Sequence, residues 1–399
     1  MAKAPFKRQL VDTIVRRVSE PRSFIQIVVG PRQTGKTTAI LQAIERMDTN
    51  AVYFSFDEER HATADKLRVV WGEAREAAQP GAPAKKNLLV LDEIQRVGQW
   101  SSTVKALWDE DTRTNSALRV VLSGSSPLLL RKGLKESLAG RFEVLHSPHW
   151  SLGECMQAFD YSLEDYLFFG GYPGAARIKD NEDRWAMYMR EAIIEPTLTK
   201  DVLLMDEVRK PAVLTELFYR GAAYSSQEVS YRKLLGQLQD AGNTDTIANY
   251  LRLLGNVGIL KALFKYDEKL IKARNSSPRL LTFDPSLMAV ASGARKGDLL
   301  GEGALLGHVV ESAVGAYLLA RSQSEGFDLF WWRDGDKEVD FVIRKGAKRT
   351  AIEVKSGRVK SRNGIKSFLE KYPGTFTLLV GSLDYPLEDF LLGKVPLFQ

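Results

Sequence analysis

One stretch, Phe24 to Thr38, limits what this chain can fold into more than any other. An apolar run, Ile25-Gln26-Ile27-Val28-Val29, enters Gly30-Pro31-Arg32-Gln33-Thr34-Gly35-Lys36-Thr37. The segment Thr38-Ala39-Ile40-Leu41-Gln42-Ala43-Ile44 then follows with helical spacing. A G-x-x-x-x-G-K-T segment between a buried strand and a helix is the pattern of a phosphate-binding loop. Its glycines free the backbone, so that successive N–H groups point into one concavity. The helix start adds unpaired N–H groups and a partial positive charge. The expectation is an α/β nucleotide domain with ATP and Mg²⁺ as cofactors. Gly30, Pro31, Arg32, Gln33, Thr34, Gly35, Lys36, Thr37 and Thr38 would line the phosphates. Lys36 would reach the β- and γ-phosphates, and the Thr37 hydroxyl would ligate the metal.

A second run, Leu88-Leu89-Val90-Leu91, ends in Asp92-Glu93. A fully buried parallel strand needs such an apolar run, and its tip lies where ligands bind in open α/β sheets. Asp92 is expected to hold Mg²⁺, and Glu93 to polarise the water that attacks the γ-phosphate. Further strands read at Ala51–Phe56 and Arg119–Leu122. The latter ends Ser123-Gly124-Ser125-Ser126, where Ser125 is the candidate contact to the γ-phosphate and an ordinary Ser/Gly turn is the alternative. Arg141 precedes another strand-like run, Phe142-Glu143-Val144-Leu145. It is either a finger that neutralises transition-state charge in a neighbouring subunit or a surface arginine. Ahead of all this, residues 5–20 read as an amphipathic helix, with Leu10, Ile14, Val15 and Val18 on one face and Lys7, Arg8, Arg16 and Arg17 elsewhere. Gln79-Pro80-Gly81-Ala82-Pro83 reads as a loop.

A chain of 399 residues exceeds one ordinary core, so two to four domains are expected. The single cysteine, Cys155, excludes an intramolecular disulfide and any cysteine-built metal site. No secretory h-region and no bilayer-length apolar run reads in the sequence, which predicts a cytoplasmic setting and no membrane partner. The net charge of +6 fits a polyanionic partner without requiring one.

The segments G-P-R-Q-T-G-K-T at 30–37, L-V-L-D-E-I-Q at 89–95, S-G-S-S at 123–126 and L-A-G-R at 138–141 resemble those of the prokaryotic AAA-type ATPases with a restriction-endonuclease-like C-terminal domain. The resemblance implies a P-loop ATPase core over residues 1–150. It carries over Lys36, Thr37, Asp92, Glu93 and Arg141 in the roles given above.

Residues 151–224 read as helical. Tyr161, Tyr166, Phe168, Phe169 and Tyr172 are more readily core packing than a binding platform, and Gly170 to Gly174 reads as a tight turn. Over residues 225–266 a short helix, a turn and a second helix precede an extended run. The second helix has Ile247, Tyr250, Leu251 and Leu254 at helical spacing. The order resembles a winged helix, whose candidate groove readers are Asn243, Thr244, Thr246 and Asn249. Residues 267–304 read as a connector.

From 305 to 399 the order is helix, three strands, a basic helix and a strand. Strand residues alternate faces, so Glu353 and Lys355 share one face and Asp340 on the preceding strand can meet Glu353. Two carboxylates and waters suit Mg²⁺, with Glu311 completing the shell from the helix and Lys355 orienting the attacking water. The arrangement resembles the PD-(D/E)XK nuclease fold, particularly its resolvase-like branch. Ordinary charged surface strands are the alternative. A basic flank of Arg344, Lys345, Lys348, Arg349, Lys355, Arg358, Lys360, Arg362 and Lys366, opposed in sequence only by Glu353, suits a phosphate backbone.

The expected function is therefore a nucleic-acid-directed ATPase, with DNA (branched DNA included) as partner, a Mg²⁺-dependent endonuclease site, and a homo-oligomer as an open possibility. Two alternatives stand beside it. One is an ATPase switch whose C-terminal domain binds DNA or protein without cutting, and the other is a nucleotide-gated DNA-binding regulator.

Overall fold

The structure, a computed structural model, describes residues 6–57, 59, 62–77, 86–124, 137–202, 208–268, 276–301, 303–356 and 363–399. The chain divides into two compact units, Met1–Pro148 and His149–Gln399.

In the first unit the elements run α1 (Gln9–Ser19), β1 (Ile25–Val29), α2 (Lys36–Arg46), β2 (Thr49–Ser55), α3 (Ala64–Glu76), β3 (Lys86–Asp92), α4 (Trp100–Arg113), β4 (Arg119–Gly124) and β5 (Phe142–His146). The five strands are parallel in the order β2-β3-β4-β1-β5. Alternation along the strands explains the apolar runs. Ile25, Ile27, Leu89, Leu91, Val120 and Leu122 pack on one face with Trp71 and Trp108 of α3 and α4. Val28, Leu88, Val90 and Val121 pack on the other with Ile14, Val18, Ala39 and Ile40 of α1 and α2. A sheet covered on both faces has no polar side to alternate with. The strand order sets β4 between β1 and β3, so the C-terminal tips of all three meet at one end of the sheet. The loop expected at 79–83 lies outside the described residues.

In the second unit α5 (Leu152–Phe159), α6 (Leu163–Phe169), α7 (Pro173–Ala176) and α8 (Glu182–Tyr188) lead into π-helical turns at Met189–Ile194 and Thr197–Val202. Tyr161, Tyr166, Phe168, Phe169 and Tyr172 are all buried, so the aromatic stripe is core. Phe168 packs tilted and Phe169 edge-on against Trp185. The tight turn is confined to Gly170-Gly171, because Pro173 fixes the first turn of α7. A Cβ on Gly170 would lie 1.9 Å from Asp284 Oδ1.

Next come α9 (Pro211–Ala223), α10 (Tyr231–Gly236), α11 (Thr244–Asn256), β6 (Leu260–Leu263) and β7 (Arg279–Thr282). Strands β6 and β7 are antiparallel, and Glu228 forms a bridge to Arg279. The stretch read as a connector, 267–304, is instead structural: it supplies β7, α12 (Pro285–Ser292) and α13 (Lys296–Leu299). Leu280, Leu281, Leu287 and Met288 are buried there. The run is short and lacks a long apolar period, so its burial is visible only once its partners surround it.

The chain ends with α14 (Ala304–Glu325), β8 (Asp328–Asp334), β9 (Lys337–Lys345), β10 (Lys348–Val354), α15 (Asn363–Lys371), β11 (Phe376–Val380) and α16 (Leu387–Leu391). The sheet order is β11-β10-β9-β8. β8, β9 and β10 form an antiparallel meander, and β11 returns parallel to β10 after α15. Tyr266 N–H donates to the Trp331 carbonyl at 2.6 Å, tying the chain after β6 to β8.

Candidate functional site

At the tip of β1 the chain turns through Gly30, whose Cβ, if present, would lie 2.1 Å from the Ser147 carbonyl. Only glycine permits that approach. Gln33 (φ 57°) and Gly35 (φ 85°) take left-handed conformations and curl the loop into α2. The Lys36 ammonium donates to the carbonyls of Gly30 at 2.9 Å and Pro31 at 2.6 Å, which holds it over the loop. Pro31 and Thr34 are buried in the loop wall, Arg32 is partly exposed, and Thr37 and Thr38 are exposed at the helix start. The Thr37 hydroxyl donates to Asp92 Oδ2 at 2.8 Å. Thr37 and Asp92 therefore offer a hydroxyl and a carboxylate side by side, hard oxygen donors of the kind Mg²⁺ takes.

Asp92 is 4% exposed and accepts three further hydrogen bonds. Tyr53 donates to Oδ2 at 3.0 Å, Ser123 to Oδ1 at 2.5 Å, and the Glu93 N–H to Oδ1 at 3.1 Å. Glu93 sits at φ 53°, a costly position for a non-glycine residue, and its carboxylate accepts from the Gln95 side chain. Ser125 lies outside the described residues.

Of the acids predicted in the C-terminal segment, Asp340 and Glu353 come together while the three-carboxylate metal shell does not. The β9–β10 register pairs Ile352 with Phe341, and one further step sets Glu353 opposite Asp340. Asp340 Oδ2, however, accepts from the Val354 N–H at 2.8 Å. Its Oδ1 faces the Arg279 guanidinium at 3.4 Å. Lys355 pairs with Glu353 at 2.5 Å rather than standing over a water site. Glu311 faces the same cluster from α14. Burial, with Asp340 adding to it, raises its carboxyl to about 8 against the opposing pull of Arg279, a Ser226 hydrogen bond and Lys355. Among the described residues no group of three or more His, Cys, Asp or Glu side chains is arranged to hold a metal ion. The expected set of Glu311, Asp340 and Glu353 is therefore not arranged as a metal shell here: Arg279 pairs with Asp340 and Lys355 with Glu353.

The basic flank is also less free than its sequence suggests. Arg344 pairs with Asp328 at 2.9 Å and Arg349 with Glu268 at 3.4 Å, while Arg358, Lys360 and Arg362 lie outside the described residues. In α11 the Asn243 side chain caps the helix by accepting from the Thr246 N–H at 2.9 Å, and Asn249 accepts from Arg252 at 2.8 Å. These two candidate groove readers therefore have structural partners. Ile247, Tyr250, Leu251 and Leu254 form the buried face as predicted.

Residues 22–156 match a family model described as an AAA domain. They form an AAA-family ATPase domain. Residues 160–298 match a domain of unknown function (DUF8612) and residues 306–396 a second one (DUF4143); neither description names a nuclease. No curated protein matches the chain. One similar solved structure, described as "Structural Basis for Katanin Self-Assembly", is 18% identical over 40% of this chain with a TM-score of 0.26. This chain covers 50% of that one's length, and a likeness so slight carries no argument.

Within the AAA domain Arg141 lies at the entry to β5, level with the start of β1 and so at the opposite end of the sheet from the phosphate loop. It forms a two-pronged pair with Asp109 of α4, at 2.6 and 3.1 Å. Along a five-residue strand of about 16 Å it stands too far from its own loop to act there. Three residues of the first unit escaped the sequence reading. Arg8, expected on a solvent face, is buried; it donates to the Thr34 carbonyl at 2.9 Å, to Ser147 Oγ at 3.3 Å and to the Pro148 carbonyl at 3.1 Å. It thus buttresses the loop from behind. Tyr53 and Ser123 anchor Asp92, and only Ser123, the first polar residue after an apolar run, gave any signal of a strand tip. No described helix is long and apolar enough to cross a membrane.

Proposed function

We propose that this chain is a Mg²⁺-dependent ATPase that works as a switch on nucleic acid, with a C-terminal unit that binds without cutting. The observation that carries the ATPase half is the contact between Thr37 and Asp92 at 2.8 Å beside the loop that holds Lys36. In this reading, ATP binding draws Lys36 from its own carbonyls onto the phosphates. Mg²⁺, when bound, would be held by Thr37 and Asp92 and would neutralise phosphate charge. Glu93, released from Gln95, would act as base on the attacking water.

The nucleic-acid half is supported by the order of elements in the middle of the chain. Helix α9, the Glu228 bridge, α10, α11 and the β6–β7 hairpin follow a winged-helix order. Arg232 and Lys233 of α10 and Arg252 of α11 are exposed on that module, as are Lys345 and Lys348 at the β9–β10 turn. The C-terminal order of helix, meander, helix and parallel strand agrees with the element order read from the sequence. Cleavage is left out of this reading because Asp340 and Glu353 are already paired with protein cations.

The test is ATP turnover by the full chain with and without linear and branched duplexes, across a salt series. Turnover stimulated by DNA, with binding that weakens steeply as salt rises, is the expected result. Turnover without any DNA binding would leave an ATPase with another partner. No turnover under any condition would remove the ATPase half.

A further inference from the structure

The acid face of the C-terminal sheet holds a charge that the sequence did not point to. Arg279 opens β7, far from the E-x-K strand in sequence, and is 3% exposed. Its guanidinium pairs with Glu338 and with Asp340 Oδ1, and donates to the Asp340 carbonyl at 3.2 Å. Glu338 and Asp340 are two apart on β9 and so share a face, the one Glu353 joins from β10. Arg333 meets Glu338 from β8 and reaches Glu228 at 2.5 Å. Lys355 takes Glu353 Oε1. Among the described residues, Glu353 Oε2 is left buried with no hydrogen-bond partner.

We infer that Arg279 is the resident cation of this cluster, occupying by its charge the place a divalent ion would take between Asp340 and Glu353, and that its removal opens a divalent-cation site there. Two carboxylates brought together in a buried setting need a positive partner, because unpaired buried charge is strongly disfavoured. A planar guanidinium supplies it in a fixed, forked geometry, is always charged, and cannot leave by deprotonation. A divalent ion at Asp340 would therefore sit against a permanent cation. With Arg279 gone, Asp340 loses its counter-charge while Glu353 keeps Lys355 on Oε1, and Asp340 Oδ1 with the buried, unpartnered Glu353 Oε2 offers hard oxygen donors that suit Mg²⁺ or Mn²⁺ with waters completing the shell. The same side chain extends from the β6–β7 hairpin into the β8–β10 meander, so it also fastens the two parts of this unit. This inference rests on the non-cutting half of the proposed function. It is independent of the ATPase half.

The experiment uses the full chain carrying Lys36→Ala, without nucleotide, so that the phosphate loop does not contribute bound metal. Mn²⁺ binding is followed by electron paramagnetic resonance, with Mn²⁺ alone as the probe. The Lys36→Ala chain is expected to bind no Mn²⁺ tightly. Lys36→Ala/Arg279→Gln is expected to bind one ion at least tenfold more tightly, and adding Asp340→Asn should abolish that gain. Arg279→Lys, which keeps the charge and the long side chain, serves if the glutamine variant does not fold. It should exclude Mn²⁺ as the parent does. The inference is overturned by a Mn²⁺ site in the Arg279 chain that Asp340→Asn removes, or by a folded Arg279→Gln chain with unchanged affinity. Failure of ATP turnover in the unsubstituted chain would bear on the ATPase half and leave this result standing.

Discussion

The Thr37 hydroxyl lies 2.8 Å from Asp92 Oδ2 across 55 positions of sequence. That contact joins the helix start after β1 to the tip of β3, two strands that are not neighbours in the sheet; β4 runs between them. Ser123 of β4 fills the gap by donating to the other oxygen of Asp92. The Thr37–Asp92 contact is therefore fixed from α2, β3 and β4 at once.

Glu93→Gln should preserve nucleotide binding and lower turnover by about 10²- to 10⁴-fold, the usual range for loss of a general base. Phosphate release and binding of a fluorescent ATP analogue measure the two separately. Turnover at the parental rate would show that Glu93 does not activate the water.

Arg8→Ala removes a buried guanidinium from the Thr34 and Pro148 carbonyls and from Ser147. Leaving buried acceptors without donors costs about 1–3 kcal/mol. The expected outcome is a lower melting temperature and a raised KM for ATP, with kcat reduced less, since Arg8 supports the loop rather than touching the reacting atoms. A normal melting temperature and KM would mean that Arg8 does not set the loop's shape.

Gly30→Ala places a methyl group where the Ser147 carbonyl stands 2.1 Å away. Loop and β5 exit cannot both keep their positions. ATP binding should fall by at least tenfold, and a calorimetric titration that finds parental affinity would contradict the close approach described here. Gly98→Ala, where no atom lies within 4 Å of the added carbon, is the control.

Glu311 gives a pH dependence with a definite sign. Its carboxyl is raised from an ordinary 4.5 to about 8, by burial first and then by Asp340. Folding takes up a proton between those two values, so this group's stabilising contribution is full below about pH 4.5 and is lost as the pH rises to about 8. Glu311→Gln imitates the protonated form. It should melt close to the parent near pH 4.5 and increasingly above it as the pH rises to about 8. Parallel melting curves for the two chains from pH 6 to 9 would show that Glu311 is ionised in the fold throughout.

The phosphate loop, the acidic tip of β3 and the helical spacing of α11 were all legible in the sequence, because each is a local pattern. A glycine-rich turn, an apolar run and a three-to-four-residue period are set by neighbours along the chain. The same holds for the order of helix and strands after residue 304. Tertiary structure alone decided which charges meet. Arg8 looked like a solvent residue until the loop folded over it, and 267–304 looked like a tether until Leu280 and Leu281 were buried. Arg344 and Arg349 looked like a free basic flank until Asp328 and Glu268 came beside them. Above all, Glu311, Asp340, Glu353 and Lys355 read as a metal site in one dimension, while the fold brings Arg279, distant in sequence, onto Asp340. Electrostatic partners act through space, and a linear pattern of acids contains no record of the cation that the fold will bring to them.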